Sequence, residues 1–489
     1  MKFTLFRILI LCVCATKAQS IEKIVYDKHN LMPVVFASVY TIDKSGVITN
    51  QEGVFKLSTA SISMTDSLYI SSLGYENRAL TLQAVQELDT IFLNVQEEML
   101  DEVVVSDENL SAEQIIQRFK DSLISNHTIN PSRLRIFSRY KTTYSPKESG
   151  VELDKSSFMS KAKRKQFNQK VEDYFTKIKG KTSKSFRDQL YDAFFVKDSV
   201  GISHIKSTFL INDEEDQSME NIQEEVFKEL IEALDTKTSF KVRTGIIPIE
   251  DSLSTEEFIP KDELEKDTIK NKFHKTAYSK IIQKSQNLGT LHFFEDSQKY
   301  DFSLDNTSFF NGEIVYVISF KPKKSSSKYE GVAYINSEDF GLLKLDYNLI
   351  DGKKEYGANL KFLLGLKFRV DRSKFQFLFK RSDEGTYYPY VYKSSANNYV
   401  YFDRSFVFKE NNKNKDERIK FKLSLLVESN SLTEEEHVVL NTSAIDSNGT
   451  YAYDKEGFIF REKLDRYDPA IWEEYDVIQA TQEIKDYNK

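Results

Sequence analysis

Thr49-Asn50-Gln51-Glu52-Gly53-Val54-Phe55-Lys56-Leu57, answered about twenty residues later by Ser72-Leu73-Gly74-Tyr75-Glu76, carries the strongest structural signal in this chain. Each apolar segment is tied to a glycine and an aromatic. That pattern predicts a small Greek-key β-sandwich, because the turns beside such strands take backbone shapes that only glycine adopts cheaply. Gly53, Phe55, Gly74 and Tyr75 are therefore read as structural residues; the pattern specifies a module and no chemistry. Around it, residues 34–42 are mostly apolar and β-branched, Asp43-Lys44-Ser45-Gly46 is a turn, and Val47-Ile48-Thr49 resumes the strand. Leu68-Tyr69-Ile70 is a short buried strand, and Thr90-Ile91-Phe92-Leu93 closes the sandwich. Leu100-Asp101-Glu102-Val103-Val104-Val105 is expected to add one more strand, with Glu102 in the acidic pair at its entrance.

The first twenty residues read as a secretory signal peptide. Lys2 and Arg7 frame a charged start, residues 8–14 are an apolar core too short to span a bilayer, and Thr16-Lys17-Ala18 ends in a small residue near the expected cut. Leu11 precedes Cys12 and Val13 precedes Cys14, where a lipoprotein signal needs a small residue. Both cysteines lie in this segment, so disulfides cannot stabilise the mature chain even in an oxidising compartment. The expected location is the periplasm or the periplasmic face of the outer membrane.

Length and composition agree with a β-rich globular chain. The 489 residues imply two or three domains beyond the leader; aromatics make up 13%, and Phe and Tyr number 36 and 26 against eight Pro and 17 Gly. A net charge of −7 provides no global field toward nucleic acid. No later run of about 18 apolar residues predicts a membrane-spanning helix.

The module resembles the carboxypeptidase-like regulatory domain, a transthyretin-like sandwich common in exported proteins of the Bacteroidota. The matching residues are Pro33 with Ala37-Ser38-Val39, then 50–55, Leu73-Gly74-Tyr75-Glu76 and 100–105. The family's glycines around the first strand are missing from Ile24-Val25-Tyr26-Asp27-Lys28-His29-Asn30. In that family the module is non-catalytic, so the resemblance implies attachment or partner binding and transfers no peptidase activity.

Beyond the module, Ser111 and Gln114 form a capping box, with Leu110 and Ile115 as a staple. Ala112, Ile115, Ile116, Phe119 and Leu123 share one face of the helix they open. Asn130-Pro131 marks a stop, and residues 134–144 read as a strand. Residues 161–187 carry ten Lys or Arg against two acids, with Phe167, Val171, Tyr174 and Ile178 at helical spacing; residues 213–235 reverse the balance, with ten acids against Lys228. These two segments could face each other. The basic helix either meets an anionic surface or packs its narrow stripe on a sheet.

From Leu288 onward the pattern is strand after strand. Leu343, Leu345, Tyr347 and Leu349 alternate with polar residues; Leu360, Phe362, Leu364, Leu366 and Phe368 form another apolar line, followed by Phe375, Phe377 and Phe379. Residues 329–336 and 339–347 resemble the strand-turn-strand of the outer-membrane lipoprotein carrier family, where a curved sheet with helices inside it holds acyl chains. Tyr467 to Ile478 resembles the tail of uncharacterised Bacteroidota proteins that carry the same module, and Trp472 is expected to plug the core.

The expected fold class is thus mainly β with helices (α+β). Its divisions are a signal at 1–20, a sandwich at 21–97, a connecting strand and helix at 98–130, and a mixed charged helical region at 131–284. An antiparallel sheet domain at 285–430 and a C-terminal tail at 431–489 complete the chain.

The motifs exclude more chemistry than they supply. His292-Phe293-Phe294-Glu295, with His437 far downstream, imitates a zinc carboxypeptidase set, but a chain with six His and abundant Glu yields such a triplet by chance, and its surroundings read as strand. No phosphate loop, no Gly-x-Ser-x-Gly elbow and no His-Glu-x-x-His occurs. Paired carboxylates such as Glu256-Glu257 and Glu434-Glu435-Glu436 read as solvated surface. The expectation is a non-enzymatic envelope protein without cofactor, metal or nucleic acid, whose partner is an envelope protein or a lipidic ligand and which could touch a membrane surface. The alternative is an outer-membrane β-barrel, disfavoured by the ending Asp486-Tyr487-Asn488-Lys489; a hydrolase stands third.

Overall fold

The computed structural model describes residues 20–43, 46–96, 110–128, 130–196, 199–212, 238–255, 268–272, 288–412, 416–451 and 458–488, together with positions 226–228, 230–232, 234 and 414. The signal segment before Ser20, the strand expected at 100–105 with Glu102, most of the acidic segment and Glu256-Glu257 lie outside them.

Seven short strands build the N-terminal sandwich: β1 (Ser20–Asp27), β2 (Ser38–Tyr40), β3 (Gly46–Ile48), β4 (Val54–Ser58), β5 (Ser67–Ser71), β6 (Arg78–Thr81) and β7 (Thr90–Leu93), with helix α1 (Leu82–Glu87) before the last. They form a three-stranded sheet, β4-β1-β7, and a four-stranded one, β3-β2-β5-β6. Val25, Val39, Phe55, Leu68, Ile70 and Ile91 are fully buried between the sheets. Gly53 makes the entry to β4 possible. Its φ is +74°, and a Cβ there would sit 2.5 Å from the Val25 carbonyl oxygen. The strand expected over 34–42 shrinks to β2, because Phe36 has a φ of +59° and leaves the ladder.

After helix α2 (Ala112–His127) the chain enters one fifteen-stranded sheet. Its members are β8 (Ser132–Ser156), then, beyond helix α3 (Lys161–Ile178), β9 (Ser183–Val196) and β10 (Ser199–Ile211), the hairpin β11 (Ser239–Thr244) and β12 (Ile247–Ser254), and β13 (Thr268–Lys272). Past the short helix α4 (His292–Glu295) come β14 (Tyr300–Phe310), β15 (Glu313–Pro322), β16 (Tyr329–Asn336), β17 (Leu342–Leu349) and β18 (Tyr356–Leu360). Helix α5 (Lys361–Leu364), β19 (Leu366–Arg381), β20 (Tyr387–Glu410), β21 (Lys420–Ala444), β22 (Phe458–Leu464) and helix α6 (Gln482–Lys485) complete the chain. The path runs β13-β22-β10-β9-β8-β21-β20-β19-β17-β16-β15-β14, antiparallel except where β10 meets β22. The fold is mainly β, and among the described residues the path ends on two separate edges, β13 and β14.

Among its described residues the stretch expected as a charged helical region is chiefly strand, and the sheet begins at Ser132 rather than near 285. The strand expected over 134–144 lies inside β8, and beyond it the charges of β9 find partners across the ladder: Asp188 pairs with Arg139, and Asp192 with Arg133 and Arg135. α3 ends at Ile178, so the basic helix stops well before Arg187. It buries Phe167, Val171 and Phe175, whereas Tyr174 is only half-buried. Val226, Leu230 and Leu234 enter the same core, so the basic and acidic segments meet through their apolar stripes. The apolar line at 360–368 is broken: β18 ends, α5 follows, and Gly365 at φ +60° turns the chain into β19. His292 and Glu295 stand on α4, not on strand. The expected tail at 431–489 begins inside β21, which continues to Ala444.

Two layers cover the sheet. On one face, α2 and α4 bury Ile115, Ile116, Phe119, Phe293 and Phe294 against Phe320, Leu345, Phe377 and Tyr392. On the other, the sandwich supplies Phe36 and Ile48, and the C-terminal segment supplies Trp472, Val477 and Ile478, to a core with Phe137, Leu190, Val391 and Val438. No described helix is long and apolar enough to cross a membrane.

Candidate ligand-binding cleft

The sandwich does not lie flush on the sheet. Between its β2-β3-β5 side and the strands β17, β19, β20 and β21 a cleft of about 740 Å³ remains. Its roof is Val34, Val35, Ser38, Tyr40 and Val47; its floor is Leu343, Leu378, Tyr388, Tyr390, Val439 and Leu440. Across the floor, direct pairing puts Lys344 opposite Leu378, Leu378 opposite Val391, and Val391 opposite Val438, which keeps these four on one side of the sheet. A bulge between Leu378 and Phe379 swings the next residues and leaves Tyr388 and Tyr390 on the cleft wall.

Charged side chains also line it. Arg381 reaches Glu313 at 3.4 Å and Asp339 at 3.2 Å, Lys344 bonds Asp346 at 2.8 Å, and the Lys380 ammonium lies 5.0 Å over the Tyr390 ring. Burial pushes the Tyr388 phenol up to about 12, and the nearby Asp383 adds to the rise. Burial likewise raises Tyr390, whose hydroxyl meets Ser38 of the sandwich. Both phenols therefore stay protonated near neutrality and can donate to a ligand oxygen.

The residues singled out from sequence frame the cleft rather than fill it. Phe55 is at the centre of the sandwich core. Beside Gly53, the Asn50 side chain accepts from the Glu52 and Val54 amides and donates to the carbonyls of Gln479 and Ala480. Gln51 donates to Glu436 at 3.0 Å, and the Glu52 carboxylate accepts from the Gln482 amide at the start of α6. Gly74, at φ +84°, donates its amide to Phe309, and Tyr75 donates to Asp27 at 3.1 Å. Burial opposes ionisation of Asp27, but the His29 and Asn30 amides and the Tyr75 hydroxyl outweigh it and hold the carboxyl below its ordinary range. Both marker turns thus grip the rest of the molecule, one at the C-terminal segment and one at the β14–β15 turn. Trp472 is buried edge-on against Phe137, with ring centroids 5.3 Å apart.

Below the first grip lies a buried ionic seam. Arg139 forks onto Asp188 at 2.8 and 2.6 Å and donates its third nitrogen to the Gln479 carbonyl. Burial pulls Arg139 down, the Asp188 carboxylate more than restores it, and the net direction is up. Lys141 and Lys184 both contact Glu483 at 2.7 Å; they overcome the effect of burial and hold that carboxyl below its usual value.

The zinc-like triplet does not assemble. His292 is half-exposed beside Asp296, Phe293 and Phe294 between it and Glu295 point into the core, and His437 is buried on β21. Among the described residues no group of three His, Cys, Asp or Glu is placed to hold a metal. Sequence reasoning missed another grouping. Ser138 Oγ lies 2.6 Å from His437 Nδ1, and His437 Nε2 lies 3.8 Å from Glu435. It is legible only through the register that sets β8 beside β21. A serine hydrolase needs an exposed hydroxyl on Nε2 with the carboxylate on Nδ1; here Ser138 is fully buried and the ring contacts are reversed.

The fold and cleft define a mainly β chain with a sandwich docked on a large sheet. No family model matches the sequence, and no curated protein does. Among solved structures, the chain is similar to a LolA superfamily protein from Nitrosomonas europaea at 7% identity, over 69% of this chain and 94% of that one, with a TM-score of 0.17. A DUF1329 family protein from Desulfovibrio piger is 10% identical over 70% of this chain and 95% of that one, also at 0.17. The outer membrane protein OprG from Pseudomonas aeruginosa is 7% identical over 65% and 97%, at 0.13.

Proposed function

We propose that this chain is an exported, non-enzymatic protein of the cell envelope that holds an amphipathic, lipidic ligand between its sandwich and its sheet. The cleft carries the reading. Its volume falls in the range of small-molecule sites, and its walls mix aliphatic and tyrosyl side chains with polar ones such as Ser38, Ser71, Gln376 and Asn441 and with the charges of Lys344, Lys380 and Arg381. That arrangement suits an apolar body with a polar end. The sandwich, read as a carboxypeptidase-like regulatory module, serves as the wall that closes the site. A closed outer-membrane barrel is less well supported, since the sheet path has two free ends among the described residues and both faces carry packed layers.

Titration with a dansylated fatty acid tests the proposal. Saturable binding at one site is expected, at least about tenfold weaker in Val35→Glu, which places a charge on the apolar roof at an already partly exposed position. Equal binding by parent and variant, or organic extracts of natively produced protein devoid of lipid, would overturn it.

A further inference from the structure

Two loop tips, remote in sequence, meet on one edge of β20. β19 stops pairing with that edge at Leu366, opposite Phe402, and β11 takes it up at Arg243, opposite Val407. In the gap between them, Thr244 donates to the Ser405 carbonyl at 3.0 Å, and the Asp403 amide donates to Gly365 at 2.8 Å. The turn that joins β11 to β12 and the α5 turn before β19 are therefore anchored two residues apart, about 7 Å along the strand.

Both tips are apolar and outward. Ile246 is 96% exposed, Phe362 99%, Leu363 71% and Ile249 53%. Single exposed apolar side chains are ordinary, but large ones gathered at adjoining tips mark a contact surface. The flanks decide the partner. Residues 241–251, 361–371 and 403–407 carry six cations, Lys241, Arg243, Lys361, Lys367, Arg369 and Arg404, against four acids, Glu250, Asp251, Asp371 and Asp403, of which Asp251 pairs with Lys241 and Asp371 with Arg369. This local balance opposes the chain's net charge of −7. A basic collar around bare aliphatic and aromatic tips is complementary to a bilayer with anionic headgroups, where the tips enter the acyl boundary and the long cationic side chains reach the phosphates.

We propose that these paired tips are a membrane-interface anchor for anionic phospholipid bilayers. The surface is distinct from the cleft and does not depend on it. It also relocates membrane contact from α3, whose apolar stripe is already spent on the core with Phe421 and Leu423.

Co-sedimentation of the full chain with mixed phosphatidylcholine and phosphatidylglycerol vesicles tests the anchor. The parent is expected to bind in a salt-sensitive manner, and Ile246→Ser with Phe362→Ser to bind about tenfold less, with unchanged circular dichroism. Arg243→Glu with Lys361→Glu is expected to remove the preference for vesicles containing phosphatidylglycerol over pure phosphatidylcholine. Equal binding by the tip variants overturns the proposal, as does a loss of binding caused instead by Lys163→Glu with Lys165→Glu on α3. So does a concentration-dependent dimer that the tip substitutions dissolve while vesicles are ignored, which would make a second copy the partner.

Discussion

At the scale of the residue, the chain's stability is exposed to a buried ion pair and a buried histidine, which make two separate sites. Arg139 and Asp188 lie directly opposite across β8 and β9, with side chains 8% and 6% exposed. Removing one member strands the other, so Arg139→Met or Asp188→Leu alone should destabilise by about 3–5 kcal/mol, whereas the two together should cost far less. Urea unfolding of the two single variants and the double variant measures the difference; additive losses would show that the pair is not coupled. The second site is His127. Burial among Phe119, Phe379 and Tyr387 lowers it to about 3, and with Nε2 accepting from the Leu342 amide the neutral ring carries its proton on Nδ1. A depressed histidine leaves stability intact above the unfolded value near 6.5 and removes it as pH falls toward 3, at about 1.4 kcal/mol per unit. Between pH 7 and pH 5 the parent should lose about 2 kcal/mol more than His127→Gln, read from urea midpoints. Parallel losses in both proteins would assign the acid sensitivity elsewhere.

At the scale of the element, the turn at Gly53 allows the sharpest prediction. Alanine there meets both the left-handed backbone and the Val25 carbonyl, so Gly53→Ala should weaken the sandwich by at least about 1–2 kcal/mol from backbone strain alone. Amide hydrogen exchange should quicken in β1 and β4 and remain unchanged in β16 and β17; uniform quickening would mean that the two parts open together. The same element shows what was legible in the sequence. Ser111 and Gln114 make the expected reciprocal cap, and Ala112, Ile115, Ile116 and Phe119 are buried as spaced, because caps and stripes are set within four residues. β16 and β17 were equally visible, since alternation is local. β9 was not. Buried polar residues here are satisfied by distant partners, Asp188 by Arg139 and Ser138 by Tyr191, each about fifty positions away, and Ser138 also by His437, 299 positions away, so local alternation does not mark β9 as a strand. The cleft was hidden for the same reason: its roof comes from residues 33–47 and its floor from 343–344 and 376–442, and only docking brings them together.

At the scale of the whole molecule, the sandwich, the sheet and the C-terminal segment close on one another at a single seam. Trp472 reports on that seam because it is the only tryptophan and shares a core with Phe36 and Ile48 of the sandwich and Phe137 and Val438 of the sheet. The polar part of the seam is made by the marker turn, with Asn50 on the carbonyls of Gln479 and Ala480 and Glu52 on the Gln482 amide. Asn50→Ala with Glu52→Ala removes those bonds, and with them the two that Asn50 accepts within its own turn, but empties neither β-core, so each part should keep its strands while their docking loosens by about 1–3 kcal/mol. Tryptophan emission is then expected to shift to the red at lower urea than the far-ultraviolet circular dichroism changes, whereas in the parent the two transitions should lie closer together. The same variant should bind the dansylated fatty acid more weakly, because the roof of the cleft moves with the sandwich. Coincident transitions with undiminished binding would show that the apolar contacts of Trp472 hold the seam without help from the turn, and that the cleft does not depend on it.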